Sequence, residues 1–207
     1  MTRRRGWFRR LIAVVTGLLV PLAGFRPAGA ASVAGRVVVD GSPAVEAVVA
    51  LQRSGDGSVA TASPAPSRVV MDQKHLTFHP RVLPVLRGTV VEFTNNDDVE
   101  HNVFSPSKVA GAFNLGTYSH GQVREVRLDN VGEVDVLCNI HMEMEAHILV
   151  LDQPYFAVSG AEGAYEVREL PAGQYELSVW DDGWLPTKQT VKVTADQAAH
   201  LDVVGRR

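Results

Sequence analysis

Residues 136–146 read VLCNIHMEMEA, and the rest of the chain is organised around them. They hold Cys138, the only cysteine among 207 residues, with His141 three places on and Met144 three places beyond that. A thiolate, an imidazole and a weak thioether on one short loop suit a soft transition metal, which then needs one more imidazole from elsewhere. His101, in the polar run NNDDVEHNVFS at 95–105, is the upstream candidate. Taken singly each residue has a plainer reading. A lone cysteine is usually a small buried hydrophobe, Met144 can be core, and His101 can be an ordinary solvated side chain. Taken together, two histidines, one cysteine and a distant methionine make the trigonal-plus-axial donor set of an electron-transfer copper centre.

Working outward, residues 131–137 have strand patterning and lead straight into Cys138, and residues 147–151 form another strand. The donor loop is therefore expected to be a hairpin-like connection held by sheet at both ends. Residues 68–93 alternate short apolar segments (VVM, LTFHP, VLPVL, VVEF) with turn signals, and Pro80 and Pro84 favour edge or bulged positions. Residues 105–121 read as a connection containing Phe113 and Tyr118. Residues 32–53 read as strand, Asp-Gly-Ser-Pro turn and strand, and residues 54–67, rich in Gly, Ser, Ala and Pro, as a linker. Residues 154–205 contain further alternating strands (AYEVREL, QYELSVW, TVKVTAD), as in a sandwich with one face on a core. No stretch keeps a 3.6-residue period with caps, so the fold class is all-β. His75 and His79 are expected on one side of a single strand, too far apart to chelate one ion. His120, His147 and His200 have no partner that the sequence identifies.

The N-terminal 30 residues read as a secretory leader, with arginines at 3–5 and 9–10, the apolar run 11–20 and Ala28-Gly29-Ala30 as a cleavage site. A retained anchor is the alternative, but the apolar run falls short of the roughly 20 residues a span needs. Sec and twin-arginine routes both stay open. The leader holds six of the 20 basic residues and no acid, so the remaining chain has 14 basic against 23 acidic side chains, a net charge of −9. Such a chain is a poor partner for nucleic acid or anionic membrane and suits a basic protein. Periplasmic or secreted placement also makes an unpaired cysteine unusual, and metal ligation accounts for it.

Residues 68–152 resemble the cupredoxins, most closely the plastocyanin and amicyanin type. The resemblance rests on LTFHPRVLPVLRGTVVEFTNND, EHNVF and VLCNIHMEMEAHILVL. It implies a Greek-key sandwich holding one copper ion through His101, Cys138, His141 and the axial Met144. It also implies that Asn102 ties the two ligand loops together. Met142 stands where short-loop relatives commonly carry proline and offers a second axial sulfur as the alternative to Met144; it is expected to be an exposed contact residue beside Ile140. The flanks, AGRVVVDGSPAVEAVVALQ and GAYEVRELPAGQYELSVWDDGW, resemble a carboxypeptidase regulatory-like or transthyretin-like sandwich. The copper module is then inserted in or beside a small Ig-like sandwich.

The function that follows from this resemblance is one-electron transfer between periplasmic redox partners, such as a cytochrome c or a dehydrogenase. The chain is not expected to be an enzyme, because four protein ligands saturate such a site and no G-x-S-x-G pattern occurs. Copper delivery, or a cell-envelope interaction module in which copper is incidental, are the alternatives.

Overall fold

The computed structural model describes residues 31–54, 67–182 and 187–206. The leader, the interior of the 54–67 linker and Trp184 lie outside these residues. The protein is all-β, and among the described residues the helical structure is a single 3-10 turn, Ala161–Gly163. No helix there is long and apolar enough to cross a membrane.

In chain order the first strands are β1 (Ala31–Val39), β2 (Ser42–Pro43) and β3 (Val48–Arg53). Next come β4 (Arg68–Lys74), β5 (Thr77–His79), β6 (Val82–Leu86), β7 (Thr89–Asn95) and β8 (His101–Ser105). They are followed by β9 (Phe113–Tyr118), β10 (Val123–Leu128), β11 (Gly132–Leu137) and β12 (Glu145–Leu151). The last are β13 (Phe156–Val158), β14 (Ala164–Leu170), β15 (Gly173–Trp180), β16 (Thr187–Val193), β17 (Ala198–His200) and β18 (Val203–Gly205).

Four sheets result. Two are built from the middle of the chain, in the orders β10-β7-β4-β5 and β6-β12-β11-β8-β9. They enclose a core that includes Met71, Phe78, Phe93, Val103, Val136, Cys138, Met144 and Ile148. The other two join the first strands to the last. One is β14-β1-β17 with β2 and β18 also on β1, and the other is β13-β3-β15-β16. Their core includes Val33, Val37, Leu51, Tyr165, Tyr175 and Leu177. Alternation decides which side chains enter each core: β7 buries every second residue, and β15 does so from Tyr175 to Val179.

Strand β12 departs from that alternation, because all five residues from Ala146 to Val150 are buried. One face, Ala146, Ile148 and Val150, enters the inner core. The other carries Leu149 into a small cluster with Val48, Val82, Leu151 and Trp180, where inner and flanking strands meet. Arg81 adds a polar strap across the same junction, donating to Glu46 and Asp182 at 3.2 Å each.

Turn chemistry sets the register where strands reverse. Asp40 and Gly41 both have positive φ, 50° and 78°, and form the two-residue loop that places Val39 opposite Ser42. Gly163, at φ +69°, lies so near β1 that an added Cβ would sit 2.2 Å from the Val37 carbonyl oxygen. Pro84 lies in β6, an edge strand, in agreement with its missing N–H. Two details differ from the sequence expectation. Residues 113–118 are a strand, and its broken alternation, with Gly116 at φ 73°, explains why it reads as loop. His75 occupies a turn at φ 56° while His79 ends β5, so the two do not share one strand.

Candidate metal centre

Strands β11 and β12 pair antiparallel in register from Gly132↔Val150 to Leu137↔Glu145, so Cys138 to Met144 is the loop between them. The loop is closed by its own backbone. The Cys138 amide donates to the Met144 carbonyl at 3.3 Å, and the Met144 amide donates to that of His141 at 3.0 Å. The His141 amide donates to Cys138 Sγ at 3.5 Å. This contact orients the sulfur within the loop. His101 comes from the first position of β8 and is fully buried.

The structure brings three of the four expected donors together directly. Nδ1 of His101 faces Nδ1 of His141 at 3.1 Å, and Cys138 Sγ lies 4.0 Å from His141 Nδ1. All three donor atoms lie within 4.8 Å of one another. Met144 is 1% exposed in the same core as Cys138, whereas Met142 is 84% exposed and Ile140 44% exposed. The two methionines therefore separate into an inward sulfur and a solvent-facing one.

Asp97 fixes how His101 enters the site, and the sequence reading missed it. Its Oδ2 accepts from His101 Nε2 at 2.8 Å, so the ring proton sits on Nε2 and Nδ1 presents a lone pair to the site. Asp97 is itself held by amides. Leu76 donates to it at 2.9 Å, the His75 amide donates as well, and the Asp97 amide caps onto Asn95 Oδ1 at 2.9 Å. Burial pushes the Asp97 carboxyl up, but the Leu76 amide, the His101 ring and the His75 amide outweigh it and hold it below the ordinary carboxylate value. The clue was present as an acid four residues before the histidine, within a run that otherwise reads as solvated loop.

Asn102 is a correction. Its side-chain amide donates to Asn114 Oδ1 at 2.9 Å, which ties β8 to β9, and its Oδ1 is buried with no hydrogen-bond partner. It does not bridge to the Cys138 loop. The contact between the two ligand segments instead runs through the backbone pair Leu137↔Phe104 and the two histidine rings, whose centroids are 4.9 Å apart.

The donor chemistry fits a transition-metal ion. Two ring nitrogens 3.1 Å apart stand beside a sulfur. Metal–nitrogen bonds of about 2.0–2.1 Å give an N···N edge of roughly 3.3–3.5 Å, close to this spacing. A thiol, two imidazoles and a buried thioether favour copper among the first-row ions.

The chain matches the carboxypeptidase regulatory-like domain family over residues 144–205, a span that begins at Met144, just before β12. No curated protein matches the sequence. Solved structures similar to the chain include a reduced amicyanin variant, at 22% identity over 49% of this chain and 98% of that one, with a TM-score of 0.39. The copper-containing nitrite reductase NirK of Thermus scotoductus SA-01 is 26% identical over 49% of this chain and 26% of its own, with a TM-score of 0.39. A purple cupredoxin of Nitrosopumilus maritimus is 21% identical over 41% of this chain and 99% of its own, with a TM-score of 0.36.

Proposed function

We propose that this chain is an exported type 1 copper protein that carries single electrons between periplasmic redox partners. The observation that supports it most is the convergence of His101 Nδ1, His141 Nδ1 and Cys138 Sγ within 4.8 Å, beside the buried Met144. Copper bound there would supply a one-electron Cu(I)/Cu(II) couple. The chain's own part is to hold the donors still and keep water out. His101 is buried and pinned by Asp97, and Cys138 and Met144 are closed into one turn by backbone hydrogen bonds. Such a frame changes little between oxidation states, which is what fast electron transfer requires. With four protein donors no open position remains for a substrate, which favours a carrier over an enzyme.

Exchange with a partner would use the half-buried His141 and the exposed Met142 and Ile140 around it. Weak redox encounters use small interfaces. The net charge of −9 after removal of the leader favours a basic partner of the cytochrome c kind. The deciding experiment is copper loading followed by visible spectroscopy. An intense thiolate-to-copper band is expected and should vanish in Cys138→Ser; a band that survives the substitution refutes the site.

A further inference from the structure

On the outward face of β11 and β12, opposite the face that holds Cys138, a second group of donors converges. Glu133 and Asp135 lie two apart on β11, and the register places Asp135 directly across from His147 on β12. His147 is 3% exposed, packed against Trp180 with ring centroids 5.1 Å apart, and both of its ring nitrogens are buried without a hydrogen-bond partner. A buried imidazole with neither nitrogen satisfied is costly. Its Nδ1 is aimed between two carboxylates, 3.3 Å from Asp135 Oδ1 and 3.4 Å from Glu133 Oε1. The three donor atoms lie within 4.8 Å of one another.

Those two distances are informative. They exceed the usual 2.9–3.0 Å of an N–H···O bond. A first-row ion with bonds of about 2.0–2.2 Å to nitrogen and oxygen gives an N···O edge of roughly 3.4 Å at tetrahedral angles. On the far side of the ring, Nε2 faces Asp182 Oδ2 at 3.7 Å. Metal-bound histidines commonly have a carboxylate behind them in this way, which fixes the tautomer and strengthens the ligand. Arg81 in turn holds Asp182 in place at 3.2 Å.

We infer that Glu133, Asp135 and His147 form a second cation site, for a divalent first-row transition ion of the zinc type. One imidazole and two carboxylates suit such an ion, whereas calcium and magnesium take oxygen donors and leave the ring unsatisfied. Two carboxylates, each a little under half exposed, give solvent access, and the free coordination positions fall to water. The ion would clamp the outer face of the hairpin whose inner face carries Cys138, at the junction with the flanking strands. The site does not depend on the copper reading, since it shares no residue with the other centre.

The test is equilibrium dialysis of the full chain against Zn²⁺, with total zinc measured per chain. Two equivalents are expected for the wild type, because zinc also enters the Cys138 centre. One is expected for Glu133→Gln/Asp135→Asn, whose changes are at exposed carboxylates and leave the core intact. One is also expected for Cys138→Ser/His141→Ala, which isolates the new site from failure of the other. Asp182→Asn, a positioning change, should weaken the second equivalent about tenfold. In ¹⁵N spectra of the wild type, Zn²⁺ should move the His147 Nδ1 resonance, and Ca²⁺ should leave it in place. Unchanged zinc stoichiometry in Glu133→Gln/Asp135→Asn, or an unmoved His147 resonance, overturns the assignment.

Discussion

The middle strands and the flanking strands are both β-layers around an apolar core, but they treat buried polar groups differently. Among the described residues, Gln73, Thr89, Asn95, His101, Asn102, Ser105 and His147 are buried within the middle strands, against Ser159 and Asp181 in the flanking part. In the flanking part Ser159 is locally satisfied, donating to the Ala44 carbonyl at 2.6 Å and accepting from the Ala47 amide at 2.9 Å. In the middle strands Gln73 Oε1, Asn102 Oδ1 and both nitrogens of His147 have no partner. Unsatisfied buried groups cost stability. The difference therefore separates a region rich in buried polar side chains from one shaped for packing.

The largest test of that division uses one fully buried aliphatic from each core, Ile148 and Leu177. Each change to Ala should cost about 2–5 kcal/mol. If the regions are separate cooperative units, calorimetry should show Ile148→Ala lowering one transition and Leu177→Ala the other. A single transition shifted by both variants would erase the distinction. Bound copper should raise only the transition lowered by Ile148→Ala, in proportion to ln(1 + [Cu]/Kd).

Asp97→Asn gives the next effect. It removes the carboxylate behind His101 and should weaken copper affinity roughly 10–100-fold while leaving the flanking transition in place. Competitive chelator titration reads this directly, and unchanged affinity would mean the ring is oriented by packing alone.

The two regions should respond alike to alkali. Burial pushes Tyr118 in the inner core up to about 12, with Gln73 and Arg124 opposing, and burial likewise pushes Tyr165 in the flanking core up to about 12. A raised folded-state value favours the neutral phenol. This stability is therefore fully present below about pH 10, the ordinary tyrosine value, and is lost as pH rises through about 12. Denaturant midpoints between these pH values should fall in the wild type and fall less in Tyr118→Phe and Tyr165→Phe.

The smallest contrast lies inside the donor loop. Met144→Gln should lower the reduction potential while copper stays bound, because an axial thioether chiefly tunes the couple. Met142→Gln, at an 84% exposed position, should leave it nearly unchanged. Voltammetry that ranks the two the other way identifies Met142 as the axial sulfur.

Much of this was legible in sequence where interacting residues are neighbours along the chain. Cys138, His141 and Met144 announce a site because one hairpin loop holds all three. The strands of residues 173–180 announce themselves by alternation. Three features were hidden because they exist only once strands are paired. His147 has no visible partner until the register sets it across from Asp135 and packing brings Asp182 behind it. Asn102 turns toward Asn114, twelve residues on, because β8 pairs with β9, a strand its own sequence does not advertise. Asp97 looks like one acid among several until two turn amides and an imidazole select it.

The pairing of β3 with β15, Arg53 opposite Tyr175, has a consequence for how the chain reaches this state. Closing a free loop of that length costs about 4 kcal/mol in chain entropy beyond a constant, from (3/2)RT ln n. Once β4 to β12 have paired with one another, most of that loop is no longer free, and closure becomes cheaper. Refolding should therefore run from the inside out, with the flanking sheets the slow, non-local step. On a ribosome, β1 and β3 emerge first and wait without most of their partners until the residues after 155 follow. During that interval the earliest part of the chain is the part with exposed strand edges, and it is there that association with other chains competes with folding.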